Sequence, residues 1–248
     1  MASMTAPADG DASSASAAAR RGPDVAEYVR DLIITRRLEA GDRVRAEQIA
    51  LALEVSATPV REALRSLQAQ GFLTYEHNRG FVVTRLSADD IRDVYISIGL
   101  LVGELAARAA RNADQLDLEP IRLIQRELHA AEVSSDRTRT TELVAEFYRQ
   151  LHVLGRSPKI VSMVLTLDMY TTREVDATIP GWFDDVVRFQ DLLLAAIEAR
   201  QPETARAAVR GHMEKIANVY SEWFETESQP ARLPPESIEG VKFSIENA

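Results

Sequence analysis

The chain has 248 residues, a formal net charge of -9, 46% hydrophobic and 27% charged residues, and no cysteine. That suffices for one large core or two small ones, and it excludes a disulfide framework, a thiolate metal site and a cysteine nucleophile. No apolar run approaches the ~18–20 residues of a membrane-spanning helix, and the N-terminal MASMTAPADGDASSASAAARRG has no apolar segment of the signal-peptide kind, so the reading is a cytoplasmic protein.

Residues 1–22 are mostly Ala, Ser, Asp and Gly, too poor in apolar side chains to fold, and read as a disordered tail. Asp24 can cap a helix in which Val25, Tyr28, Val29, Leu32 and Ile33 recur at helical spacing. EAGD at 39–42 is a turn, followed by a short helix with Ile49, Leu51 and Leu53 as its apolar content. Val55-Ser56-Ala57-Thr58-Pro59 ends that helix and starts another, with Ser56 as N-cap and Pro59 in the first turn, where its missing N–H has no helical partner to lose. Val60, Ala63, Leu64 and Leu67 form the apolar stripe. Arg61 and Arg65, one turn apart, project together from one face. Gly71 ends the helix. Phe72–Tyr75 and Phe81–Thr84 read as two strands joined by EHNRG, which supplies the Asn and Gly of a tight hairpin.

Three helices and a two-stranded hairpin in this order make a winged helix-turn-helix over residues 23–86. Charge agrees: Arg20 to Arg85 holds eleven arginines and nine acidic residues, a surplus of two in a chain of net charge -9. A recognition helix presents its N-terminal residues to base edges in the major groove, and the hairpin tip can reach the neighbouring backbone or minor groove. Arginine suits both guanine edges and phosphates.

From Ser87 the pattern becomes purely helical. Ser87-Ala88-Asp89-Asp90 starts a helix that runs to about Ala110, and further helices are expected at about 117–133, 139–155, 158–175, 183–200 and 202–226. Residues 87–227 thus read as an all-helical bundle domain of about six helices, and 228–248 as a Pro-rich tail. The fold class is mainly α. No Walker loop, GxGxxG, nucleophile elbow or HExxH occurs, so the chain does not read as an enzyme.

The string EAGDRV…IALALEVSATPVREALRSLQAQGFL…RGFVVTRLSADDI resembles the GntR family of bacterial transcription regulators. The helical half, chiefly through LLLAAIEARQPETARAAVRGHM, resembles the FadR-type subgroup with its FCD effector-binding domain. The resemblance spans about residues 24–226. It implies DNA contacts at Thr58, Arg61, His77, Arg79 and Gly80, with Arg45 as a further phosphate contact and Arg65 beside Arg61. Where the family carries Arg before the Thr-Pro pair this chain has Ala57, which implies a changed or relaxed operator preference.

The resemblance further implies a homodimer on a pseudo-palindromic DNA operator, and a small-molecule effector in the FCD domain. Many members hold a divalent metal there with Asp, His and two later histidines. Here Val144, Tyr148 and Gln190 stand at the first three places and only His212 matches, while Ile98 stands where acid-binding members have an inward arginine. One imidazole does not hold a metal, so no cofactor is expected. The pocket is expected to be lined by Tyr148, Gln190 and His212 and to suit an apolar or neutral effector. A shifted site using His152 with His212 stays open, as does a constitutive DNA-binding dimer without any effector.

Overall fold

The structure, a computed structural model, describes residues 24–171 and 182–226. They form two compact units that divide between Thr84 and Arg85. The tails expected at 1–22 and 228–248 lie outside the described residues.

In the first unit, helix α1 (Val25–Ile34) opens at Asp24, whose carboxylate accepts hydrogen bonds from the N–H groups of Ala26 at 3.0 Å and Glu27 at 3.2 Å. It buries Val25, Tyr28, Val29, Leu32 and Ile33, the stripe that the spacing predicts. Strand β1 (Arg43–Val44), α2 (Ala46–Ala52), α3 (Ala57–Ala69), β2 (Leu73–Glu76) and β3 (Gly80–Val83) follow. Within α2, Ile49 is buried but Leu51 is 64% exposed, so only part of the expected apolar content reaches the core.

The turn between α2 and α3 is closed by two backbone hydrogen bonds, Val55 N–H to the Ala50 carbonyl at 3.0 Å and Glu54 N–H to the Leu51 carbonyl at 3.3 Å. Glu54 takes a left-handed φ of 55° to allow this, a conformation that suits glycine better. Ser56 occupies the N-cap position of α3 but makes no side-chain cap hydrogen bond, which corrects its expected capping role. At the other end of α3 the expectation holds. Gly71 adopts φ +88°, and Phe72 N–H reaches back to the Leu67 carbonyl at 3.0 Å. Phe72 then folds fully into the core.

Strands β2 and β3 pair antiparallel from Leu73↔Val83 to Glu76↔Gly80, leaving His77–Arg79 as the loop, with Asn78 left-handed at φ 70°. The wing has a third strand that the sequence reading left out: β1 pairs with β3 through Arg43↔Val82 and Val44↔Phe81, giving the order β1-β3-β2. A two-residue strand is too short to show alternation, so only the tertiary pairing reveals it.

The second unit, among the described residues, is six helices: α4 (Ala88–Asn112), α5 (Glu119–Ser134), α6 (Arg137–Leu154), α7 (Pro158–Asp168), α8 (Trp182–Glu198) and α9 (Pro202–Thr226). Ser87 and Asp90 form a reciprocal capping box at the start of α4, with Asp90 N–H to Ser87 Oγ at 3.1 Å and Ser87 N–H to Asp90 Oδ2 at 2.7 Å. Helix α7 ends at Asp168, short of the expected 175.

Helices α4 and α9 approach closely. A Cβ on Gly99 would lie 2.9 Å from Met213 Cβ, and one on Gly103 would lie 3.2 Å from the Arg206 carbonyl oxygen. The same pair is joined by Arg206 Nη2 to Glu104 Oε2 at 2.6 Å. Leu105, Phe147, Leu151, Leu193 and Val209 are fully buried between the helices. No described helix is long and apolar enough to cross a membrane.

Candidate functional site

The first unit presents the expected DNA-contacting residues on its surface. Arg45, Thr58, Arg61, Arg65, His77 and Arg79 are exposed, and Gly80 is half-buried at the base of the wing. Helix α3 places Thr58 in its first turn, with Arg61 and Arg65 in the next two, because Val60, Leu64 and Leu67 turn the opposite face into the core.

Two arginines are already engaged. Arg61 Nη2 donates to Glu47 Oε1 at 2.8 Å, tying α3 to α2. Backbone hydrogen bonding and Arg61 together hold the Glu47 carboxyl below the usual carboxylate range. At the wing tip, Arg79 donates to Glu76 Oε2 at 2.8 Å and to the Gly41 carbonyl at 3.2 Å, which pins the hairpin loop to the turn before β1. Sequence reasoning missed Glu47 and the exposed Arg43 on β1. Glu47 and Arg61 lie fourteen positions apart on different helices, so no periodicity links them.

The second unit holds a half-open cavity of about 350 Å3. Ile98 and Val102 of α4, Val144 of α6, Val164 of α7, Trp182 and Val186 of α8 and Met213 and Ile216 of α9 supply apolar wall. Polar groups on the wall include Thr141, Tyr148, His152, Thr171 and His212, and among the described residues Arg149 and Asp168 are its charged ones. Tyr148 and His212 both lie on this wall, as do Val144 and Ile98.

Gln190, expected on the wall, is not among the residues that line this cavity. The cavity meets α8 at Trp182 and Val186, and Gln190 lies one turn further along, fully buried with neither amide atom hydrogen-bonded. Among the described residues, no group of three or more His, Cys, Asp or Glu side chains is placed to hold a metal ion.

The histidines differ from one another. His212 stacks flat on Phe189, with ring centroids 3.8 Å apart and planes 2° from parallel. Burial pushes its pKa down to about 4, helped by Lys215 and opposed by Asp185. Burial also lowers the pKa of His152. The Nε2 atoms of both are buried without a hydrogen-bond partner. His129, by contrast, is an exposed surface residue 2.9 Å from Asp191, away from the cavity.

The family model for bacterial regulatory proteins of the gntR family matches residues 22–83, and the FCD domain model matches residues 93–215. An uncharacterized HTH-type transcriptional regulator of Mycobacterium tuberculosis is 31% identical over 193 residues, covering 78% of each chain. A protein of Paenarthrobacter nicotinovorans described as "Probable D-xylose utilization operon transcriptional repressor" is 29% identical over 196 residues, 76% of this chain and 85% of that one. In fold, the chain is similar to E. coli McbR/YncC, with a TM-score of 0.62 and 20% identity over 81% of this chain and 96% of that one. The chain belongs to the gntR family of bacterial regulatory proteins, with an FCD domain as its helical unit, and is a DNA-binding transcriptional regulator.

Proposed function

We propose that this regulator is an effector-responsive repressor. As a homodimer it would bind a pseudo-palindromic operator, two recognition helices reading two half-sites, because two-fold sites are read by two-fold proteins. Arg61 and Thr58 would meet base edges or phosphates, with Arg45, Arg65, His77, Arg79 and Gly80 positioning the unit on the backbone. It would act in the cytoplasm, beside its DNA. The repressor sign is supported by the description of the Paenarthrobacter relative.

The observation that carries the effector reading is the cavity itself: about 350 Å3, largely apolar walls, and polar side chains from Thr141, Tyr148, His152 and His212 among the described residues. Coupling of about 1–3 kcal/mol between this site and the DNA would change operator occupancy by one to two decades. A divalent metal has no part in the proposal, since Val144 replaces one family ligand and Gln190, in place of another, stays off the cavity wall.

The test is fluorescence anisotropy on the intergenic DNA upstream of the protein's own gene, with light scattering to count protomers, while a metabolite library is screened. Release of the DNA by a library compound supports the reading. A dimer that holds its operator unchanged across the library overturns the effector and leaves a constitutive DNA-binding protein, the reading favoured by the loss of the family ligand set at Val144 and Gln190.

A further inference from the structure

We infer that strand β1 is a third DNA-contacting element: Arg43 grips the sugar-phosphate strand that divides the major groove, entered by α3, from the minor groove, approached by the wing tip. The inference rests on the reading that Arg61 and Arg79 face DNA.

Position comes first, because two contacts bracket Arg43. On one side Arg79, at the wing tip, donates to the Gly41 carbonyl at 3.2 Å, in the turn just before β1. On the other, Arg61 of α3 donates at 2.8 Å to Glu47, in the first turn of the helix just after β1. Backbone hydrogen bonding and Arg61 hold the Glu47 carboxyl below the usual carboxylate range, and the charge of Arg43 acts in the same direction. The Arg43 guanidinium is therefore within electrostatic reach of the Arg61–Glu47 pair. Arg43 stands between the recognition helix and the wing tip, on the surface that joins them.

Direction comes second. Along β1, Arg43 is exposed and Val44 is buried. The backbone stays extended through Arg45, at φ -101° and ψ 124°, and Arg45 is exposed again. Side chains two apart on an extended chain share a face, so Arg43 and Arg45 point the same way, about 6.6 Å apart along it. Arg43 pairs with Val82 of β3, the central strand of the wing sheet. Its backbone is thus fixed by a strand ladder, which holds a contact more accurately than a loop does.

The shape of the duplex supplies the third argument. A major groove and the minor groove beside it are divided by one sugar-phosphate strand. A protein with a helix in the first and a hairpin tip at the second lays the surface between them across that strand. In this unit that surface carries Arg43. A guanidinium offers phosphate oxygens two parallel donors, and such a contact fixes register on the duplex without reading sequence.

The test uses the full-length protein, the intergenic DNA upstream of its own gene and a random duplex of the same length, with anisotropy followed across a salt series. Arg43→Ala should weaken binding to both DNAs by the same factor, roughly five- to tenfold at 0.1 M salt, and lower the slope of log K against log salt by about one. Arg43→Lys keeps the charge and should restore the slope. Ethylation interference on the intergenic DNA locates the contact: the phosphate signal lost with Arg43→Ala should lie between the signals lost with Arg61→Ala and with Arg79→Ala. Because Arg43 is exposed, its variants should melt as the wild type does, and Arg43→Gln gives a second neutral side chain should the alanine variant fold poorly. An unchanged slope, or a loss confined to the intergenic DNA, would overturn the inference. If Arg61→Ala and Arg79→Ala weaken binding while Arg43→Ala does not, the inference alone falls. If neither of those two weakens binding, the reading of this face as the DNA-contacting one falls, and the inference with it.

Discussion

Arg61, in the second turn of the recognition helix, is held 2.8 Å from the carboxylate of Glu47 on the preceding helix. The pair is exposed on both sides, so it orders the guanidinium more than it stabilises the fold. On DNA, Glu47 would sit beside the phosphates as an uncompensated negative charge once Arg61 turned to the groove. Glu47→Gln should therefore tighten operator binding roughly two- to fivefold, in line with the small coupling of exposed pairs. Anisotropy at fixed salt checks this. Weaker binding would show instead that Glu47 aims Arg61 within the complex.

Arg61→Ala should cost about 1–3 kcal/mol of specific binding where the side chain reads a base. Losses that are equal on operator and random DNA would assign it to a phosphate. Arg45→Ala, Arg65→Ala and Arg79→Ala should each lower the salt-dependence slope of log K by about one, the mark of one lost phosphate contact.

Glu54 holds a left-handed backbone at φ 55° in the turn of the helix-turn-helix. A side chain there costs about 1–2 kcal/mol, part of which a glycine recovers after its own entropy cost. Glu54→Gly should stabilise the DNA-binding unit by about 0.5–1 kcal/mol, read as a higher urea midpoint at constant m-value.

His212 ties stability to pH. Its folded pKa of about 4 lies below the ordinary 6.5, chiefly through burial. Between these values the unfolded chain takes up the proton and the native chain does not, so stability increases with pH across this window. The contribution is fully present above about pH 6.5 and is lost as the pH falls towards 4, by up to about 3 kcal/mol. Urea midpoints at pH 7, 5 and 4 check it. His212→Phe should lose less stability over the same range than the wild type.

Chelator treatment should leave the melting temperature unchanged, and zinc, nickel or manganese added back should not raise it. A metal bound at a hundred times its dissociation constant would add about 2.7 kcal/mol, which a thermal shift would register.

The sequence by itself determined the local grammar. Asp24, Ser87 and Gly71 are caps or stops whose chemistry acts within five residues, and the apolar stripe of α3 follows a period that a single strand of text displays. The exposed positions of Arg61 and Arg65 follow from that stripe. The tertiary structure alone decided what depends on distant partners. Strand β1 exists because Arg43 and Val44 pair with β3 some forty residues later. Glu47 meets Arg61 because two helices cross. Gly99 lets α9 close on α4 because Met213 lies there. Gln190 was expected on the cavity wall with His212, yet among the described residues the wall meets α8 at Trp182 and Val186. A cavity is the space left by five helices together, and no one helix's periodicity records where that space ends.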